Sequence, residues 1–176
     1  ISRRAGHEPL QYILGIQEFC GLEFHVNPAV LMPRPETELL VQEAVRVVDL
    51  GKEAVLADVG TGSGCVAVTL ATILGNARIF AVDRSSEALA VAKGNAERHA
   101  VADRIDWLEG DLLSPLRGRG MAGMVDVIVS NPPYIAEAEW TGLQPEVREF
   151  EPRSALVGGP KGTEFHERLL RDSKEY

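Results

Sequence analysis

Residues 54–83 read as strand, glycine turn, helix, strand, and that unit leaves few folds open. Ala54-Val55-Leu56-Ala57 is a short apolar run, and Asp58-Val59-Gly60-Thr61-Gly62-Ser63-Gly64 places a glycine at every second position of a turn. Cys65 to Ala71 is apolar enough to be a helix, and Arg78-Ile79-Phe80-Ala81-Val82 is a second strand ending in Asp83. Such a unit is the first half of a nucleotide-binding βαβ arrangement. Its glycines permit a tight turn and let a ligand approach backbone N–H groups at a helix N-terminus. Asp83 comes 19 positions after Gly64, the usual place for an acceptor of ribose hydroxyls.

The details favour S-adenosylmethionine over a dinucleotide. The third glycine, Gly64, arrives one residue early for the Gly-x-Gly-x-x-Gly fingerprint, which weakens an oxidoreductase reading. Asp58, just before the turn, suits a ligand ammonium and would repel a pyrophosphate. A third strand, Ile105 to Glu109, leads to Gly110-Asp111-Leu112 and offers an acid near an adenine amine. Asp58, Asp83 and Asp111 thus recur at successive strand ends, where open α/β sheets bind ligands. Each alone is equally a helix cap or turn former. Together with Gly60, Thr61, Gly62, Gly64 and Leu112 they outline one extended adenosyl ligand.

A fourth strand, Met124 to Val129, runs into Ser130-Asn131-Pro132-Pro133-Tyr134. Proline fixes its own φ and pushes the residue before it to an extended conformation. The Asn131 side-chain oxygen and the Pro132 carbonyl are therefore expected to point outward together, two acceptors matched to a planar –NH2 group. Tyr134 adds a flat wall for that group. For Asn-Pro alone a strand-ending turn is the simpler reading. The whole motif, beside the glycine loop, points to amine or amide chemistry.

Elsewhere, Tyr12 to Ile16 and Leu22 to Val26 suggest a β-hairpin turning at Glu18 to Gly21, with His25 facing outward. The segment after Leu31 enters a helix with Leu39, Leu40, Ala44, Val47 and Val48 as its apolar face and Gly51 as its stop. A helix is expected from about Ser86 to His99, with Leu89, Ala92 and Ala96 inward, and another from Phe165 to Tyr176. Residues 137–160 read as a long loop, of a length that is often functional. Cys20 and Cys65 make neither a metal spacing nor a disulfide framework, and Cys65 reads as a small core residue. With 18 Lys and Arg against 26 Asp and Glu, the net charge of −8 disfavours broad phosphate-backbone binding. Arg3-Arg4 and Arg117-Gly118-Arg119 are the candidate local basic patches. No apolar stretch is long enough to span a membrane and no signal peptide is visible, so a cytoplasmic monomer is the default expectation.

With these residues in hand, the chain resembles the HemK-type protein-(glutamine-N5) methyltransferases, which modify the Gly-Gly-Gln loop of peptide chain release factors. The resemblance rests on Gln11-Tyr12-Ile13-Leu14-Gly15, Pro33-Arg34-Pro35-Glu36-Thr37-Glu38, the loop from Asp58 to Gly64, and Asn131 to Tyr134. Phe150-Glu151-Pro152-Arg153-Ser154-Ala155-Leu156 with Gly158-Gly159 also matches the family's loop after the motif. The glycine loop and Asn-Pro-Pro-Tyr are shared by many amine methyltransferases; the Pro-Arg-Pro-Glu-Thr-Glu segment narrows the resemblance to this family. It implies a Rossmann-like class I methyltransferase, a mainly parallel sheet with helices on both faces, preceded by a small hairpin. On that reading residues 1–34 are a hairpin linker segment and residues 35–176 an S-adenosylmethionine-binding domain lacking its last strands. Family members carry a helical domain before the hairpin, so a fragment is expected.

The resemblance further implies methyl transfer to a glutamine nitrogen, with Asn131, Pro132 and Tyr134 catalytic, Asn131 also touching the cofactor, and Pro133, Arg34 and Glu36 lining the substrate side with them. No metal is implied. Arg34 and Glu36 are equally able to pair with each other at a helix entrance. Two alternatives stand beside this: an adenine-N6 methyltransferase acting on RNA or DNA, which would have to flip its base, and a non-catalytic adenosyl-binding module.

Overall fold

The computed structural model describes residues 1–49 and 52–176. Two short helices, α1 (Ser2–Ala5) and α2 (Leu10–Leu14), precede the hairpin strands β1 (Ile16–Phe19) and β2 (Leu22–His25). The hairpin therefore exists, but Tyr12 to Leu14, expected to be strand, are helical. Pro9 starts that helix and Gly15, at φ 76°, closes it, so strand geometry begins only at Ile16. The turn is Cys20-Gly21, both at positive φ, as a two-residue hairpin loop requires. His25 is exposed, as expected. Phe19 and Phe24 meet edge to face and sit in the same core as Leu56, Val66 and Ile79.

The main sheet holds β3 (Val55–Val59), β4 (Arg78–Asp83), β5 (Ile105–Glu109) and β6 (Val127–Ser130), all parallel, in the order β5-β4-β3-β6. Side chains alternate across it. Leu56, Ile79 and Ala81 enter one core, while Ala57, Val59, Phe80 and Val82 enter the other. The first core is shared with α3 (Glu38–Val47), α4 (Cys65–Ile73) and α5 (Ser86–Arg98). Every residue of α4 from Cys65 to Ala71 is buried, which is why that stretch carries no polar face. The second core is closed by α6 (Ser114–Arg117) and, past α7 (Pro145–Phe150), by Phe165 and Leu169 of α8 (Glu164–Asp172). Truncating fully buried Ile79 to Ala would cost about 2–5 kcal/mol.

Two expectations are corrected. On α3 the buried residue is Val41, with Ala44 and Val48 following at helical spacing, whereas Leu39 and Val47 are 61% and 63% exposed. Gly51 lies outside the described residues. Residues 137–160 are not one irregular loop. Strand β7 (Ile135–Ala136) pairs in parallel with β8 (Val157–Gly159), and α7 and two 3-10 turns fill the interval. Prolines there start helical turns, at Pro145 for example, rather than abolish structure.

Candidate active site

The strand order reverses between β3 and β6, with β4 and β5 to one side, and such a switch point opens a crevice at the carboxyl edge of a sheet. A cleft of about 1070 Å3, including its open mouth, occupies that place. It is lined by the expected residues Asp58, Gly60, Thr61, Gly62, Asp83, Asp111, Leu112, Asn131, Pro132, Pro133 and Arg34. Gly64, Glu36 and Tyr134 are absent from its wall. Gly64 instead lies where α4 meets α5: a Cβ there would stand 3.0 Å from the Ala92 Cβ. Glu36 is solvent-exposed, and Tyr134, 63% exposed, stands outside beside Pro133.

On the glycine-loop side, Asp58 is buried, and its Oδ2 accepts from Thr61 Oγ1 at 2.7 Å and from the Ala67 N–H at 3.1 Å. Burial pushes this carboxyl up to about 6, those two bonds oppose the shift, and the negative charge of Asp83 adds to it. Asp83 is fixed across the loop, accepting from the Gly62 N–H at 2.9 Å and the Ser85 N–H at 3.0 Å. Asp111 is exposed and pairs with Arg168, whose guanidinium also lies 5.9 Å from the Phe165 ring centroid.

On the opposite side, Ser130 Oγ donates to the Val59 carbonyl at 2.6 Å and ties the end of β6 to β3. The Asn131 amide Nδ2 donates to Thr37 Oγ1 at 3.2 Å. That bond turns the amide so that its oxygen is the group left to act as acceptor. Pro132 is buried, and among the described residues no donor reaches its carbonyl. Arg34 does not pair with Glu36. Its Nη2 donates to Glu151 Oε1 at 2.5 Å, and the Met32 N–H reaches Glu151 Oε2 at 3.4 Å. The Glu151 side chain is fully buried, which raises its carboxyl above the usual range while Arg34 opposes that shift.

Sequence reasoning missed three organising residues. Thr37 lay inside a segment already singled out, but its contact with Asn131 spans 94 positions. Glu151 carried no signal beyond the resemblance of its own segment. Asn95 did carry one: it falls on the buried face of α5, where an amide must find partners. It accepts from the His25 N–H at 2.7 Å and donates to the carbonyls of His25 at 3.0 Å and Ser63 at 2.8 Å. Hairpin, glycine loop and α5 are thereby joined through one side chain.

The family model "Methyltransferase small domain" matches residues 35–144, more than half of the chain. The chain belongs to that family. The curated relatives of this methyltransferase small domain include a release factor glutamine methyltransferase from Geobacter sulfurreducens, 49% identical over 100% of this chain and 59% of the relative. Another of the same name, from Nitratidesulfovibrio vulgaris, is 48% identical over 98% of this chain and 57% of its own length. The chain thus spans under three fifths of the length of these relatives. Among solved structures, the hMettl16 catalytic domain in complex with MAT2A 3′UTR hairpin 6 superimposes with a TM-score of 0.67 at 17% identity, over 98% of this chain and 72% of that one. The N-terminal domain of human METTL16 in complex with SAH gives 0.58 at 20% identity, over 97% and 60%. These likenesses establish the class I methyltransferase fold for this methyltransferase small domain. No described helix is long and apolar enough to cross a membrane.

Proposed function

We propose that this chain forms the catalytic part of an S-adenosylmethionine-dependent methyltransferase acting on the glutamine amide of the Gly-Gly-Gln loop in peptide chain release factors. The observation that carries the reading is that Asn131 and Pro132 line the cleft while the Asn131 amide N–H is taken up by Thr37, which leaves its oxygen as the free acceptor. The donor's fit rests on the other wall: a buried carboxylate, Asp58, whose charge is costly until a cation meets it, and a glycine loop pinned by Asp83. The names of the curated relatives supply the substrate. When bound, the donor supplies a methyl on a positively charged sulfur.

An amide nitrogen is a poor nucleophile because its lone pair is delocalised into the carbonyl. Asn131 Oδ1 and the Pro132 carbonyl each accept one N–H of the substrate amide, orient its nitrogen and favour the positive charge that develops there. With the donor bound, the methyl group would pass to the nitrogen these acceptors hold in place, and the nitrogen's proton would go to water. The adenine alternative draws less support. Arg3 pairs with Glu8, Arg4 with Glu146 and Arg117 with Glu175, so the candidate basic patches are offset by acids.

The test offers labelled donor to the longest native form of the protein with a release factor, its Gly-Gly-Gln→Gly-Gly-Ala variant, and RNA or DNA. Label on the release factor that disappears with the glutamine supports the reading; label on nucleic acid alone sinks it. Asn131→Ala should remove most transfer yet leave S-adenosylhomocysteine binding nearly unchanged, measured by calorimetry.

A further inference from the structure

The Asn-Pro-Pro-Tyr turn is approached closely by the main chain of a later glycine loop. Residues 157–164 run Val-Gly-Gly-Pro-Lys-Gly-Thr-Glu, and β8 pairs with β7 directly after the motif, with the Ile135 N–H donating to the Leu156 carbonyl at 2.9 Å. A Cβ on Gly158 would stand under 3.0 Å from the Pro133 carbonyl oxygen and 2.7 Å from that of Gly162. On Gly162 it would stand under 3.0 Å from the Tyr134 carbonyl oxygen and 3.1 Å from the Ala136 nitrogen. In both cases the obstructing atoms are main chain, which cannot swing aside as a side chain would. Gly162 also sits at φ 81°, where a side chain is strained. The loop itself is knotted by Glu164, whose Oε1 accepts the Lys161 N–H at 2.9 Å. Its carboxyl is held below the ordinary range by that bond first, and by the N–H groups of the neighbouring residues.

We infer that Gly158 and Gly162 are positioning residues for methyl transfer: they let the 157–164 loop press on the backbone of Pro133 and Tyr134 and so fix where the Pro132 carbonyl and Asn131 point. The inference rests on the proposed role of those two acceptors. The prolines make the turn stiff, but stiffness alone does not fix its direction relative to the cleft. The Thr37 bond to Asn131 and the close approach of the 157–164 loop to Pro133 and Tyr134 together do. Displacing a reacting group by about 1 Å can lower a rate by roughly a hundredfold.

The experiment compares Gly158→Ala, Gly162→Ala and Glu164→Ala with wild type in the longest native form, with Gly142→Ala as a control. A Cβ on Gly142 meets nothing within 4 Å. Initial rates of methyl transfer to a release factor give kcat and KM, and calorimetry with S-adenosylhomocysteine reports the other wall of the cleft. The brace predicts a kcat loss of ten- to a hundredfold in the Gly158 and Gly162 variants, a smaller loss in Glu164→Ala, and S-adenosylhomocysteine affinity within about threefold of wild type. Wild-type kcat in the Gly158 and Gly162 variants, or affinity falling in step with kcat, overturns it. Should both of these variants fail to fold, Glu164→Ala decides: it fills no space and removes the acceptor of the Lys161 N–H, and unaltered kcat there also overturns the brace. No transfer by wild type would refute the proposed function instead, so the two failures are distinguishable.

Discussion

The proposed contact between Asp58 and the donor's amino group would make donor binding a titration. In the protein alone, burial lifts its carboxyl from an ordinary 3.8 to about 6. The folded state therefore holds a proton that the unfolded chain has already released between those values. Stability from this group is complete below about pH 4 and is lost as pH rises through about 6, by about 3 kcal/mol at roughly 1.36 kcal/mol per pH unit. A cationic amino group brought against Asp58 selects the ionised form, so its binding restores what deprotonation removed. The dissociation constant for S-adenosylhomocysteine should then weaken about tenfold from pH 7 to pH 5, following the ionised fraction of a group near 6. Asp58→Asn should bind more weakly at pH 7, show no such slope, and melt at a higher temperature than wild type at that pH. Calorimetry across pH 5 to 7.5, with thermal melts alongside, measures all three. A flat wild-type profile, or the same slope in Asp58→Asn, would refute the claim that Asp58 meets the ligand's cation.

Thr37→Val removes the bond that turns Asn131; losing about 1 kcal/mol of orientation should lower kcat roughly fivefold without moving S-adenosylhomocysteine affinity, as initial-rate kinetics will read. Asn95→Ala leaves backbone groups of His25 and Ser63 without partners in a fully buried site, and urea unfolding should show a loss of about 3 kcal/mol or more. Arg34→Met strands the buried Glu151 carboxylate, so it should destabilise by about 3 kcal/mol and by more than Glu151→Gln does; equal midpoints for the two variants in the same denaturant series would contradict this.

The parallel core and both walls of the cleft were legible because their signals are local. Buried strands, a glycine turn and a proline pair each announce themselves within a few residues, and β3, β4, β5 and β6 fall where apolar runs put them. What stayed hidden depends on distance. Nothing near Arg34 reveals that its partner is Glu151, 117 positions on, and an adjacent Glu36 was the natural but mistaken candidate. On α3, Leu39 and Val47 are apolar yet exposed, and only helical spacing from Val41 picks out the buried face. Tyr12 and Ile13 suit a strand, yet Pro9 and Gly15 bracket a helical turn, so the first hairpin strand starts later than its apolar run. Proline and glycine density made residues 137–160 look irregular, although the same residues start α7 and let β8 lie close against the turn.

The two walls of the cleft differ in how the polymer supplies them. The wall of Asp58, Gly62, Asp83 and Asp111 comes from one continuous stretch of chain wound through adjacent strands. The facing wall is gathered from remote stretches, at Arg34 and Thr37 and at Asn131, with Glu151 holding Arg34 from outside the lining, and these meet only across gaps of 94 and 117 positions. Closing such gaps is what makes a topology slow to form. On the proposed roles, a growing or refolding chain of this design would complete the donor's wall while the acceptor's is still in pieces, so competence to bind would precede competence to react.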